Sequence, residues 1–254
     1  MTKKGGEARF VFTIGLCFGI LLLLGCGRAI NRSAERRVRD ALPDVLGPAR
    51  SYRVHIDNDP DRTVQGRLAR VLIDGEQVKM NSGMYFDALH LELRGVEVDT
   101  HSGRVRSIKE TYFSATTSAA TVNEYLVGET FSGGKLRNVR VAFAPSGVTL
   151  SAEREIVNVN PPVIGGNVTV FAPFQLTGPA RLAGTRRLEL DAAHLDIVGI
   201  TISGAPLKFL MRRFESGFDL NGMPFPMTLT QVQTGQNVIT LSGTADVSGL
   251  LQRK

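Results

Sequence analysis

The side chains that most often carry chemistry are few in this chain, and their spacing does not bring them together. Its four histidines are isolated, because no two of them lie three to five residues apart with a carboxylate, and so no zinc site is predicted. The run Asp57-Asn58-Asp59-Pro60-Asp61 offers the hard oxygen ligands that Ca²⁺ prefers. It lacks the glycine and the distal glutamate of a helix–loop–helix calcium loop, so a polar turn after a strand is the favoured interpretation.

Catalytic motifs are also missing from the sequence. There is no Gly-x-Ser-x-Gly elbow and no glycine-rich phosphate loop, and no acid–base pair can be nominated. Both cysteines, Cys17 and Cys26, lie near the N-terminus, which leaves the rest of the chain without thiol or disulfide chemistry. The sequence therefore predicts a non-catalytic protein with no cofactor and no metal.

The N-terminal segment has the pattern of a bacterial secretion signal. Lys3 and Lys4 precede an apolar run over residues 10–24, and Leu-Leu-Gly stands directly before Cys26. This ending resembles a lipobox, which predicts that Cys26 is acylated. An uncleaved N-terminal anchor with a coincidental cysteine is the alternative. Both interpretations predict a membrane-anchored, extracytoplasmic protein of the bacterial cell envelope.

Positive charge is concentrated in the same part of the chain. Residues 1–42 contain eight basic and three acidic residues, whereas the other 212 residues contain 22 and 21. This distribution predicts contact with an anionic membrane surface and argues against nucleic acid, which would require a basic stripe across the body. The predicted contacts with headgroups or the membrane surface in this segment are Arg28, Arg32, Arg36, Arg37 and Arg39.

Residues 30–42 are predicted to form a short helix, because their apolar residues recur at helical spacing and Pro43 should end it. Two interpretations of this basic segment stay open. It either lies on lipid headgroups, or it is a solvated tether or a helix packed on the body.

From residue 51 onwards the sequence is typical of β-strands separated by glycine-rich turns. Asp74-Gly75 predicts a hairpin turn, and the interruption at Arg94-Gly95 predicts a bulge. Helices are predicted at 121–127, where Thr121 and Glu124 have capping-box spacing, and at 206–218, which carries one apolar face. Strands are predicted at 52–57, 67–73, 76–80, 89–98, 105–114, 136–144, 148–153, 168–176, 187–203, 227–234 and 238–247.

These elements predict an α+β fold that is mainly β, with a long curved antiparallel sheet wrapped around two amphipathic helices. The predicted organisation is a signal or anchor over 1–26, a basic amphipathic tether over 27–50 and a β-rich domain over 51–254. Such a fold can enclose an elongated apolar cavity that suits a lipid acyl chain, although the same residues could equally fill a dry core. The candidate acyl-chain contacts are Tyr125, Leu126, Leu207, Leu210, Met211, Phe214 and Phe218. Arg212 and Arg213 are candidate headgroup contacts, which a solvated helix face would explain equally well.

Several segments of the body resemble the LmeA-like phospholipid-binding family of the bacterial cell envelope. The segments that carry the resemblance are 66–73, 89–96, 120–126, 136–141, 188–202, 218–226 and 241–245. The resemblance implies a secreted or anchored protein that binds phospholipid, is associated with envelope glycolipid assembly, and has a fold similar to the tubular lipid-binding folds.

Three functions are weighed on these observations. The first is non-catalytic phospholipid binding, with transfer between membranes as its extension. The alternative is an envelope scaffold or interaction module with a filled core. An enzyme of glycolipid metabolism is the least supported, because the sequence offers it no acid–base pair.

Overall fold

The computed structural model describes residues 27–79, 83, 85–101, 104–127, 136–159, 168–204, 217–219 and 226–246. Within these ranges the helices are α1 (Gly27–Leu46), α2 (Pro60–Val64) and α3 (Ala119–Val127). None of the described helices combines the length and the apolar character that crossing a bilayer requires.

Strands make up most of the described residues. They are β1 (Ser51–Asp57), β2 (Arg67–Lys79), β3 (Tyr85–Val98), β4 (Val105–Ser118), β5 (Leu136–Ala144), β6 (Gly147–Val159), β7 (Val168–Gly178), β8 (Ala180–Leu182), β9 (Arg187–Leu190), β10 (His194–Ile197), β11 (Ile200–Ser203), β12 (Gly217–Asp219), β13 (Met227–Thr234) and β14 (Val238–Ala245).

The strands form three antiparallel sheets in the described part of the chain. The large sheet has the order β1-β2-β3-β4-β14-β13, the second sheet β11-β10-β7-β6-β5, and the third sheet β12-β9-β8. The mainly β character predicted from the sequence is confirmed. The wrapping of one curved sheet around two amphipathic helices stays a prediction.

The main hydrophobic core lies on one face of the large sheet. Its largest fully buried side chains are Phe86, Val71 and Val78. Leu42 and Leu46 of α1 belong to this core, as does Leu126 of α3. The apolar side of α1 is therefore packed on the protein itself, which favours the packed-helix interpretation of the basic segment over one that lies on lipid.

The predicted end of α1 at Pro43 is wrong, since the helix continues to Leu46. A proline inside a helix removes one backbone hydrogen bond and crowds the preceding turn. Leu42 and Leu46 lie one helical turn apart and are both buried, and their packing offsets that cost. Gly47 ends the helix with a φ of 103° and donates its N–H to the Pro43 carbonyl at 3.1 Å.

α3 begins earlier than the capping-box pattern predicts. Ser118 caps the helix, because its hydroxyl accepts the Thr121 N–H at 3.2 Å. The Thr121 hydroxyl donates instead to Asp87 at 2.7 Å, and Asp87 also accepts the Ser118 N–H. A carboxylate on β3 therefore fixes the start of α3 against the large sheet.

The hairpin turn predicted at Asp74-Gly75 does not form, because β2 continues through both residues. Gly75 lies opposite Tyr52 of β1. A Cβ at Gly75 would come within 2.9 Å of the Tyr52 ring. The absence of a side chain at Gly75 therefore lets the Tyr52 ring pack closely on the sheet. The chain does not turn at this position.

The irregularity predicted at Arg94-Gly95 takes a different form. β2 and β3 keep one register through this point, and the register shift of β3 lies between Glu97 and Val98, where it pairs with β4. Gly95 has a φ of 61°. The buried residues Leu89 and Leu91 are followed by Val96, so the predicted change of phase near Gly95 is present without a bulge against β2.

The carboxylate run after β1 forms a polar structure, as its favoured interpretation predicts. Asp59 caps α2 by accepting the Asp61 N–H at 3.2 Å. Asn58 donates to Thr63 and to the Arg67 carbonyl and accepts the Ala69 N–H, which closes the turn onto β2. Across the described ranges, no three His, Cys, Asp or Glu side chains are arranged to hold a metal ion.

Candidate functional site

Most of the predicted acyl-chain contacts lie outside the described residues, namely Leu207, Leu210, Met211 and Phe214, together with the headgroup candidates Arg212 and Arg213. Phe218 lies in β12, where it pairs with Leu188. The helix predicted over 206–218 is therefore wrong at its last two residues. Gly217 is a poor helix former, and antiparallel pairing with β9 satisfies the backbone there instead.

The two candidates on α3 are in the main core. Leu126 is buried, and Tyr125, which is partly exposed, packs against the same cluster. The two α3 residues that were expected to line an acyl-chain cavity thus pack inside the core of the protein.

The second sheet has one apolar face, which the sequence analysis did not single out as a site. One row of directly opposed residues crosses all five of its strands: Val141, Leu150, Leu176, Leu195 and Ile202. A neighbouring row consists of Ala152, Phe174, Ile197 and Ile200. These two rows are therefore apolar across the sheet, and the next row on the same face contains Arg154 between Leu136 and Ala172.

Burial decreases along this face. Leu176 and Leu195 are buried, whereas Ile200 on the edge strand β11 is 67% exposed. Towards the far ends of β6 and β7 the opposed pair Val157 and Val170 is 42% and 44% exposed. Large β-branched side chains in contact with water on one face of a sheet form the kind of surface that marks a binding site.

The opposite face of the second sheet is polar. Its rows include Thr149, Thr177, His194 and Ser203 at directly opposed positions. Arg137 and Asn138 donate to Glu153 at 2.6 and 3.0 Å. The hydrogen bond from Asn138 and, to a smaller extent, the one from Arg137 lower the pKa of Glu153. The two sides of the sheet thus differ in polarity.

A second feature lies at the edge of the large sheet, where α1 packs beside β1. Of the predicted surface arginines, Arg32, Arg36 and Arg39 line a cleft of about 370 Å³. Arg37 is half-buried outside its lining, and the side chain of Arg28 is not described. Arg53 of β1 also lines the cleft, together with Tyr52, Val54 and Glu35.

The polar face of the large sheet carries a network of ion pairs. Glu92 accepts a hydrogen bond at 2.7 Å from Arg70 and another at 2.7 Å from Arg94. The Arg94 guanidinium also lies over the ring of Tyr112 at 5.1 Å. These contacts join neighbouring strands. The hydrogen bond from Arg70, which has the larger effect, and the one from Arg94 lower the pKa of Glu92 to about 2.

The lowered pKa of Glu92 predicts that the protein loses stability in acid. Its folded pKa of about 2 lies below its ordinary value of 4.5. The contribution of Glu92 to stability is therefore complete above about pH 4.5 and is lost as the pH falls towards about 2. Between about pH 6 and about pH 3, the urea midpoint should fall more steeply in the wild type than in Glu92→Gln, as measured by far-UV circular dichroism. Equal slopes in both proteins would contradict this, and Glu124→Gln, an exposed change on α3, should keep the wild-type slope.

The chain is thus a mainly β protein whose second sheet has one apolar face, which is partly exposed, and one polar face. Comparison of the sequence with known families then places it. The chain belongs to the LmeA-like phospholipid-binding family, whose family model matches residues 25–244. No curated protein and no solved structure matches the chain. The family resemblance seen in the sequence is thereby confirmed.

The apolar face could have been found from the sequence only in part. Alternating apolar residues at Leu195, Ile197, Ile200 and Ile202 give a strand signal, and residues 187–203 were predicted as one strand. In the structure this stretch divides into β9, β10 and β11 with turns between them. Which side of the sheet these residues share depends on the register with β7, for which the sequence holds no local signal.

Proposed function

We propose that the protein binds phospholipid without catalysing a reaction on it, and that the lipid acyl chains lie along the apolar face of the second sheet. The observation that carries this proposal is the exposure of Ile200 beside the two apolar rows of the second sheet, and of Val157 and Val170 farther along β6 and β7. Membership of a phospholipid-binding family supplies the class of ligand.

The dimensions of this face suit an acyl chain. Adjacent strands are about 4.8 Å apart, so a row across five strands spans roughly 19 Å. One leaflet of a bilayer holds chains about 15 Å long, half of a hydrocarbon core of about 30 Å. Each methylene moved from water onto the face gains about 0.8 kcal/mol. Because Leu176 and Leu195 in the middle of this row are already buried, the acyl chain would lie over the exposed border of the face, beside Ile200.

This proposal places the lipid away from the position that the sequence suggested. A cavity between the large sheet and α3 would need apolar side chains facing an open space. Val122 and Leu126 of α3 are instead buried against core residues such as Phe113. The second sheet is the better candidate because some of its apolar side chains, namely Ile200, Val157 and Val170, are in contact with solvent.

The cellular setting is part of the same proposal. We place the protein in the bacterial cell envelope, attached to a membrane through an acyl group on Cys26, which would be the first residue after cleavage of the signal. The basic segment would then lie near an anionic membrane surface, and transfer of lipid between membranes would be an extension of binding. Support for this setting comes from the sequence pattern alone.

Site-specific photo-crosslinking in cells tests the lipid site on the full chain. A photoreactive phenylalanine analogue is introduced at Ile200 or at Phe174 on the apolar face, and phospholipids are labelled with radioactive phosphate. The matched control is Gln175, which neighbours Phe174 on β7 and faces the polar side. We expect irradiation to transfer label to the protein at Ile200 and Phe174 and not at Gln175.

Two outcomes would overturn the proposal. Absence of label at both apolar positions would exclude lipid from this face, and equal labelling at Gln175 would show contact with bulk membrane only. If Ile200 captured a protein of defined mass in place of lipid, the face would be a protein interface, and the scaffold function would replace lipid binding.

A further inference from the structure

We infer that the cleft between α1 and β1 is a binding site for a phosphate group that carries two negative charges. The cleft lies on the edge of the large sheet, and its lining residues belong to no part of the apolar face described above. The inference depends on the composition of its walls, on the charge of each group and on which of these groups already have partners.

Three of the four arginines come from one side of α1. Arg32, Arg36 and Arg39 follow one another at intervals of four and three residues, so they project from the same helix face. Arg53 reaches the cleft from the edge strand β1. Two different elements therefore contribute arginines to the walls of one cleft, an arrangement that a solvated helix face alone would not produce.

Among the lining residues that the structure describes, Glu35 is the single acidic one, and its carboxylate is already engaged. One of its oxygens accepts the backbone N–H of Ile56 at 3.0 Å and lies 3.4 Å from Nδ1 of His55. Glu35 thus satisfies an amide of the edge strand. Within the lining it offsets one of the four positive charges.

The arginines differ in their present partners. Arg39 pairs with Asp40 at 3.3 Å and Arg53 with Glu76 at 3.1 Å, both on the exposed surface, where ion pairs contribute little and exchange readily. In the part of the chain that the structure describes, neither Arg32 nor Arg36 has an ion pair. The two arginines are thus free to bind an anion.

Phosphate is the anion that best fits these walls. Guanidinium groups form paired hydrogen bonds with phosphate oxygens, and several guanidinium groups around one space favour a doubly charged group over a carboxylate. The Tyr52 hydroxyl donates to the Gly47 carbonyl at 2.8 Å, so its contribution to the cleft is the apolar wall of its ring. Such a wall suits the carbon skeleton that carries a phosphate ester.

The phosphate could belong to a lipid headgroup or to a soluble molecule. The site rests on the proposed function only in the first case, and the two sources can be separated experimentally. Pyrophosphate serves as the soluble probe. Vesicles of phosphatidylcholine with or without phosphatidic acid serve as the lipid probe, with the full chain kept in mild detergent before dilution.

The test compares the wild type with Arg32→Gln/Arg36→Gln. The matched control is Arg67→Gln/Arg186→Gln, which removes the same charge from two exposed arginines outside the cleft. We expect pyrophosphate binding, measured by calorimetry, to weaken about tenfold or more in the cleft variant and less than about twofold in the control. A variant with lysine at both cleft positions should fall between them, because lysine keeps the charge and loses the paired hydrogen bonds.

Each outcome decides the question. Pyrophosphate binding that depends on Arg32 and Arg36 supports a site open to soluble phosphates. Tighter binding to vesicles with phosphatidic acid than to vesicles without it, with the difference lost in the cleft variant and kept in the control, supports a headgroup site. Equal loss in both variants, or equal binding to both kinds of vesicle together with no binding of pyrophosphate, overturns the site. Labelling at Ile200 in the crosslinking experiment is measured separately, so failure of the cleft leaves the acyl-chain proposal to be judged on its own result.

Discussion

Replacing Phe86 by alanine will lower the free energy of unfolding by about 3–5 kcal/mol. Phe86 is 1% exposed and is among the largest fully buried side chains of the described core. It lies in β3 opposite Val78 of β2, which is also fully buried. Removal of the ring leaves a cavity that neighbouring strands, fixed by their hydrogen bonds, can only partly close. The midpoint of urea unfolding, followed by far-UV circular dichroism, measures the loss.

Tyr85→Ala provides the control for this prediction. Tyr85 precedes Phe86 on the same strand, faces the other side of the sheet and is 39% exposed. Its ring lies 5.6 Å from the Lys79 ammonium, a surface contact of about 0.5–1 kcal/mol. A small shift for Tyr85→Ala beside a large one for Phe86→Ala is expected. Similar shifts for both variants would show that the core is not packed as described.

The large sheet was the most predictable part of this fold. Its first four strands follow one another in sequence and alternate buried with exposed residues, which is a local signal. The places where prediction failed have non-local causes. Asp74-Gly75 has the composition of a turn, yet β2 runs through it because the Tyr52 ring covers Gly75 from the next strand. Packing across strands thus overrides local turn propensity.

The candidate sites were predictable to different degrees. The arginines of α1 follow from helical spacing and charge, and the sequence placed them on one basic segment. Arg53 was missed, because only the packing of α1 beside β1 brings it into the cleft. The apolar face of the second sheet was missed for a similar reason. Ile202 and Leu195 become neighbours of Leu176 through strand register, which no periodicity within one strand can specify.

Asn123→Leu will lower the free energy of unfolding by about 2–4 kcal/mol, although the two side chains are similar in size. The Asn123 amide of α3 contacts the outer edge of β5, where its nitrogen donates to the Val141 carbonyl at 2.9 Å and its oxygen accepts the Val141 N–H at 2.7 Å. One side chain thus takes the place of a neighbouring strand. Leucine can make neither bond, which leaves two backbone groups without a partner. The urea midpoint measures the loss.

Glu124→Leu is the matched control, because it introduces the same side chain at the next position of α3, where the native residue is exposed. We expect it to change stability by less than about 0.5 kcal/mol. A loss as large as that of Asn123→Leu would show that leucine disturbs the helix itself. An unchanged midpoint in Asn123→Leu would show that the Val141 groups find other partners.

The consequence of Asn123→Leu for function follows from the position of Val141. Val141 is the first residue of the apolar row that ends at Ile202, and β5 is the edge of the second sheet nearest α3. A further bond, from the Asn237 N–H to the Phe143 carbonyl at 3.0 Å, joins the same edge to the loop between β13 and β14. Loss of the Asn123 pair should therefore raise amide exchange in β5 before it does so in β3. If it does, the hydrogen bonds of one asparagine hold the proposed lipid face against the large sheet. If exchange rises equally in both strands, the two sheets unfold as one unit.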